Sequence, residues 1–268
     1  MEFYVSVPFE SLEERMELVS RDGFIPDVRM ADTDFLMGLT DSDCNRLKRL
    51  LDTRGFRIYS HAPFFGLDVA SIDEGISRYS IRCLERAIEV TAALGGALMV
   101  MHTGYLPQYS RIGRRYWFGN WSRRMPRLVE NARARGVQIA LENTWDDRPE
   151  VLHHLRNLLP DPGAVAFCLD TGHTNVYSQL AVRRWWRSLG DDIAAIHLHD
   201  NDGLSDDHLP PGRGTVDFET LVNLLLECRR PPILELEVDP ERAVEGRDYI
   251  GALFERMRLE RAGRTAAS

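Results

Sequence analysis

A chain of 268 residues with 44% hydrophobic side chains can bury a large core, as one barrel of ordinary size or as two small domains. Charged residues at 28% suit a soluble globular protein, and no apolar run approaches the roughly 20 residues that span a bilayer. A formal net charge of −8 argues against bulk attraction to nucleic acid or to an anionic membrane, although a nucleic-acid enzyme needs only a local basic patch.

The N-terminus opens at once with strand-like sequence and has no basic or apolar leader region, so no secretory signal is expected. Cys44, Cys83, Cys168 and Cys228 have no CxxC spacing and read as reduced core thiols of a cytoplasmic protein. A first strand is expected over residues 3–7. Ser11-Leu12-Glu13-Glu14 has a capping-box pattern and opens a helix with Leu12, Met16 and Val19 on one face, ended by Gly23. A short, polar second strand follows over residues 26–30, then a helix over 41–54 carrying Leu47, Leu50 and Leu51. The third strand spans residues 57–61, and a long helix over 73–94 stops at Gly95-Gly96. The fourth strand, 97–101, is continuously apolar, as a strand covered on both faces should be. A loop rich in arginine and aromatic residues leads to a helix over 121–135.

The fifth strand spans 137–141, with a helix over 149–159; the sixth spans 164–169, with a short helix over 182–189. The seventh strand spans 193–198, and Asp217 caps a helix carrying Leu221, Leu224 and Leu225. The eighth strand spans 233–236, a last helix runs to about residue 261, and residues 263–268 are expected to fray. Eight strands alternating with eight helices are the pattern of parallel βαβ units, and this number in one chain predicts a single (β/α)8 TIM barrel over residues 1–262. An open doubly wound sheet would carry a glycine-rich fingerprint after its first strand, where this chain has Pro8-Phe9-Glu10-Ser11. Residues 202–214 form a long polar loop within the barrel, not a domain boundary.

In such a barrel the chemistry lies at the C-terminal strand ends. Of eight histidines, His61, His102, His173, His197 and His199 fall at these ends and His208 in the following loop; only His153 and His154 lie elsewhere, on a helix. Glu142, Asp170, His197 and Glu235 come from four successive strands and can meet near the barrel axis, as carboxylate and imidazole ligands of a divalent cation do. The alternative is a buried polar network that ties the mouth together. His197 and His199 share one face and differ in height by about 7 Å, as do Glu235 and Glu237, so facing alone leaves either member of each pair open as the ligand.

The motifs His61-Ala62-Pro63, His102-Thr103-Gly104, Leu141-Glu142-Asn143-Thr144, Asp170-Thr171-Gly172-His173, His197-Leu198-His199-Asp200 and Leu234-Glu235 resemble the xylose-isomerase-like barrel superfamily, in its sugar phosphate isomerase/epimerase and endonuclease IV branch. The resemblance spans strands three to eight. In its epimerase branch it implies one divalent ion, Zn or Mn first and Mg or Co next, held by Glu142, Asp170, His197 and Glu235. The family's ligand histidine stands three residues before the motif aspartate, here Asp200, which favours His197 over His199. The implied reaction is an isomerisation or epimerisation of a small sugar or keto-sugar, phosphorylated or not. There the metal stabilises an enediolate, Glu142 and Glu235 move the proton, and His173 orients a substrate oxygen. With a single ion, His61, His102 and His199 would line the substrate.

The endonuclease branch binds three zinc ions, and its ligand types are all present. His61, His102 and a bridging Glu142 would form one site, the quartet a second, and His173, Asp206 and His208 a third. That reading implies cleavage of abasic DNA. Three departures turn the balance toward the isomerase/epimerase: Thr103 replaces a proline, Trp145-Asp146-Asp147-Arg148 replaces a small glycine-rich segment, and Gly172 replaces a cysteine. A non-catalytic metal or sugar binder is the third reading. The segment from Arg111 to Arg124 mixes arginine with Trp117 and other aromatics; it is either a lid that stacks on a sugar or binds phosphate, or a rim whose aromatics pack on the barrel. Arg213, in a second rim loop, could contact a phosphate or carboxylate, or simply sit in a turn. No membrane partner is expected, nucleic acid enters only with the endonuclease reading, and a homo-oligomer is compatible with the chain.

Overall fold

Eight parallel strands close into a barrel in chain order, with β1 paired to β8. They are β1 (Tyr4–Pro8), β2 (Ile25–Arg29), β3 (Tyr59–His61), β4 (Leu98–His102), β5 (Gln138–Glu142), β6 (Val165–Asp170), β7 (Ile193–Leu198) and β8 (Ile233–Leu236). The computed structural model describes residues 1–266. The helices are α1 (Leu12–Arg21), α2 (Thr33–Gly38), α3 (Asp41–Thr53), α4 (Glu74–Ala93), α5 (Arg111–Ala134), α6 (Glu150–Asn157), α7 (Thr171–Tyr177), α8 (Val182–Leu189), α9 (Phe218–Leu225) and α10 (Ala243–Ala266). Among the described residues no helix is long and apolar enough to cross a membrane.

All eight expected strands form, most displaced by a residue or two because pairing, not composition, sets their ends. Two short helices were not expected, α2 and α7, each begun by an aspartate cap, Asp32 and Asp170. Ser11 does not cap α1; a 3-10 turn precedes the helix, and the Ser11 hydroxyl donates instead to the Pro8 carbonyl at 3.1 Å. The arginine-aromatic segment is helical, since Ser110 caps α5 and Trp117, Trp121, Met125 and Leu128 form one buried stripe. Of the tail expected to fray, Gly263 to Ala266 belong to α10, and residues 267–268 lie outside the described residues.

Strand alternation explains where the polar residues go. Val5, Val28, Met99, Leu141, Phe167 and Ile196 face outward into the main core under the helices. Tyr59, Val100, Ala140, Cys168 and Ala195 face inward and form the packed interior of the barrel. Two residues further along the same strands, the same inward face carries His61, His102, Glu142, Asp170 and His197. The polar mouth thus stands above this packed interior, at the C-terminal end of the strands.

Candidate metal centre

Glu142, Asp170, His197 and Glu237 bring one donor atom each to within 4.8 Å of one another, all four buried or nearly so. His197 Nδ1 stands 3.4 Å from Glu142 Oε1, 3.7 Å from Asp170 Oδ2 and 3.1 Å from Glu237 Oε2. Glu235 does not join this group. Its carboxylate lies lower, where Oε2 accepts from the Tyr59 hydroxyl and stands 3.0 Å from His197 Nε2. Glu235 is in register with both His197 and Tyr4, one pleat below Glu237. The strand step therefore brings Glu237, rather than the expected Glu235, to the level of the other three carboxylate and imidazole donors.

The second oxygen of Glu142, Oε2, lies 3.0 Å from His61 Nε2 and 3.3 Å from His102 Nε2, which makes a further cluster of three. A third cluster joins His173, Asp206 and His208 with His199. Asp206 Oδ2 lies 3.2 Å from His173 Nε2 and 3.3 Å from His208 Nε2. His199 was expected to face the substrate. It is instead fully buried, donates to both oxygens of Asp170 at 3.1 Å, and stacks on His208 with ring centroids 3.9 Å apart.

Local structure fixes these side chains. Asp170 caps α7 through the His173 N–H at 2.6 Å, and Asn143 ties the ends of β5 and β6 by two reciprocal bonds with the Asp170 backbone. Asp200 accepts from the backbone N–H groups of Gly212, Gly214 and Val216, and so folds the loop that carries Asp206 and His208. His208 is the one described non-glycine residue with positive φ, at 48°, a conformation held here by its bond to the Glu237 carbonyl. Gly172 has a packing reason, because a Cβ there would overlap the His199 imidazole.

The histidine tautomers are set by backbone carbonyls. His61, His173 and His208 each donate Nδ1–H to a carbonyl, those of Ala62, Asn143 and Glu237, at 2.8–2.9 Å. That leaves Nε2 of each aimed into a cluster, the outer-shell arrangement of metal-ligating histidines. Burial alone would lower the pKa of His173 and His197, but Asp170, Asp206 and Glu142 around His173, and Cys168, Glu235 and Glu142 around His197, outweigh it and hold both well above the usual imidazole range. Burial likewise works to raise Glu142 and Glu237, and the histidines facing them pull both well below the usual carboxylate range.

A divalent cation fits this donor set. Glu142 Oε1, His197 Nδ1 and Glu237 Oε2 are buried, lack any hydrogen-bond partner, and converge on one another. Buried polar atoms left in this state are expensive unless something binds them. Three carboxylates with one imidazole suit Mn, Zn, Co or Mg, and the clusters of two and of three imidazoles with one carboxylate suit Zn.

Residues 22–257 match the family described as xylose isomerase-like TIM barrel. The chain belongs to that family. Within this xylose isomerase-like family, it is 29% identical over 238 residues to the uncharacterized protein MJ1311 of Methanocaldococcus jannaschii, covering 85% of this chain and 79% of the relative. It is 26% identical to a probable endonuclease 4 of Mycobacterium ulcerans (75% and 79% covered) and 26% identical to the fructoselysine 3-epimerase of Shigella flexneri (84% and 83% covered). Among solved structures, a D-tagatose 3-epimerase-like protein superimposes with a TM-score of 0.85 at 26% identity over 97% of this chain and 99% of its own. The TTHB071 protein of Thermus thermophilus, crystals of which were soaked with ZnCl2, shares the fold with a TM-score of 0.82 at 24% identity, over 96% and 99% of the two chains.

Two residues expected to meet substrate do not reach the xylose isomerase-like mouth. Trp117 is buried in the helix layer among Tyr105, Phe118 and Trp121, its indole N–H donating to Asp68 Oδ1 at 3.0 Å, so the packing reading of that segment is correct. Arg213 lies on the outer rim, exposed and paired with Glu245. Conversely, Phe64, stacked on His102 at 4.2 Å, walls the site, and Tyr59 supports it from below; sequence reading passed over both because apolar and tyrosine side chains carry no ligand signal.

Proposed function

We propose that the protein is a divalent-metal-dependent isomerase or epimerase of a small hydroxylated carbonyl compound, and that Glu142, Asp170, His197 and Glu237 hold its ion. The convergence of three buried, unpartnered donor atoms beside Asp170 carries this reading. Its relatives by family include proteins named as sugar epimerases. A cation bound there would supply Lewis-acid polarisation of a substrate oxygen. Glu142 and Glu237 occupy different strand ends, and both are held ionised, so one can accept a proton from a substrate carbon while the other returns it. His102 and Phe64 close one side of the mouth against water. His173 Nε2, 3.2 Å from Asp206 Oδ2, would have to leave that carboxylate to donate to a substrate oxygen.

The test is solvent exchange. Metal-replete protein incubated with a panel of ketoses in D2O should incorporate deuterium beside a carbonyl, read by proton NMR. A loaded protein that exchanges no proton of any ketose removes the proposal.

One observation favours a second reading. Glu142 Oε2 is held between two histidines, and a separate His173–Asp206–His208 cluster lies beside it, which is the donor count of a multinuclear hydrolase. Against a polyanionic substrate, Arg124, Arg148 and Arg213 at the rim are already paired with Glu74, Asp147 and Glu245. Three zinc ions per chain together with nicking of an abasic duplex would establish the hydrolase. Three ions without nicking would leave the isomerase reading in place.

A further inference from the structure

We propose that Arg29 is the anchor for an anionic substituent, a phosphate or a carboxylate, on the substrate of the metal centre, so that the substrate is an acidic sugar derivative rather than a neutral one. This rests on the reading of the centre as catalytic.

Arg29 is the last residue of β2, in register with His61 on β3, and shares the inward face of its strand with Asp27. It is half-buried, and its Nε is buried without a partner. Among the described residues its side chain forms no hydrogen bond and no ion pair. Neither oxygen of the buried Asp27 is bonded to it, since both lack any partner. A guanidinium carries five N–H donors in a fixed fork, and leaving them unmatched in a partly buried setting is unfavourable.

What faces Arg29 is space. A cavity of about 250 Å³ is lined by Arg29, Arg15 and Ser6 together with Glu237, Asp239 and His208. A ligand that fills it touches the arginine and two residues of the metal clusters together. Arg15 stands on the same wall, its Nη1 3.7 Å from Asp239, which keeps that rim carboxylate neutralised. A planar fork aimed into a cavity recognises phosphate or carboxylate by paired hydrogen bonds. One such arginine suits a single anionic group, whereas a nucleic-acid backbone needs a tract of unpaired cations.

The experiment uses the full chain loaded with zinc or manganese and three probes: D-fructose, D-fructose 6-phosphate and D-glucuronate, with binding followed by calorimetry. The wild type should bind one or both anionic sugars about tenfold or more tighter than fructose, and which of them gains identifies phosphate or carboxylate. Arg29→Ala should erase the preference with bound metal per chain unchanged, and Arg29→Lys, which keeps the charge without the fork, should retain part of it. Equal binding of the three sugars by wild type overturns the proposal. So does a preference that survives in a folded Arg29→Ala or, if that variant does not fold, a full preference in Arg29→Lys. Wild type that takes up no ion would instead sink the metal-centre reading, an outcome separate from both.

Discussion

Glu235 and His197 form a buried ion pair in which the carboxylate oxygen Oε2 stands 3.0 Å from Nε2 of the imidazole while the opposite nitrogen, Nδ1, faces Glu237 at 3.1 Å. The Tyr59 hydroxyl donates to the same oxygen of Glu235 and keeps it in place. With Glu235 beside Nε2, Nδ1 is the imidazole nitrogen turned to the mouth, where a bound cation would replace its proton.

With the ion on Glu142, Asp170, His197 and Glu237 as proposed, Glu235 would act as a positioning residue. Glu235→Ala should weaken ion binding at the quartet by about 10–100-fold, the usual effect of losing an outer-shell partner, and Glu235→Gln by less. Competition with a chelator of known affinity measures this. An unchanged affinity in Glu235→Ala would mean that the pair serves packing alone.

Glu142 sends Oε1 toward His197 and Oε2 toward His61 and His102, so it belongs to two clusters. Glu142→Ala should therefore lower the bound metal at both, whereas His61→Ala should spare the quartet. Elemental analysis of dialysed protein distinguishes the two, and equal losses from both variants would contradict the shared carboxylate.

Ion binding should release protons. Burial works to lower the pKa of His208, but its hydrogen bond to Asp206 and the charges of Glu237 and Asp206 raise it to about 9 from 6.5. A raised pKa stabilises the folded ion-free protein fully below 6.5, and that contribution is lost as pH rises through about 9. At about pH 7.5 a cation arriving at the cluster of His173, Asp206 and His208 must displace this proton. Calorimetry in two buffers of different ionisation enthalpy should show net proton release, reduced by about one in His208→Ala. A binding enthalpy that does not depend on buffer contradicts this.

Asp146 is buried, one carboxylate oxygen has no partner, and burial raises its pKa to about 7. The raised value means that stability is fully present below its ordinary 3.8 and is lost as pH rises through about 7. Asp146→Asn keeps an acceptor for the Thr144 N–H and removes the charge. It should stabilise the protein by ~1–3 kcal/mol at about pH 8, a rise of about 2–4 °C in Tm per kcal/mol, with little change at about pH 4. Equal shifts at both pH values would show that the carboxyl does not titrate in this range.

The barrel was legible because each strand and each amphipathic helix announces itself by its own period, and strict alternation admits few topologies. Trp117 shows the weaker side of that reading. Gly113 and Gly119 look like loop signals among arginines, yet burial of the stripe from Trp117 to Leu128 outweighs their poor helix propensity. Arg29 had a signal, a cation in a strand that read as unusually polar, but its lack of a partner is a property of space rather than of spacing.

The sequence by itself determined the eightfold architecture and the gathering of histidines and carboxylates at one rim, because residue periodicity and strand direction are local. Only the tertiary structure set Glu237, rather than Glu235, beside the other three donors, and joined His199 to Asp170 and His208. Residues two apart on a strand share a face and differ only in height, and height acquires meaning when neighbouring strands fix the register.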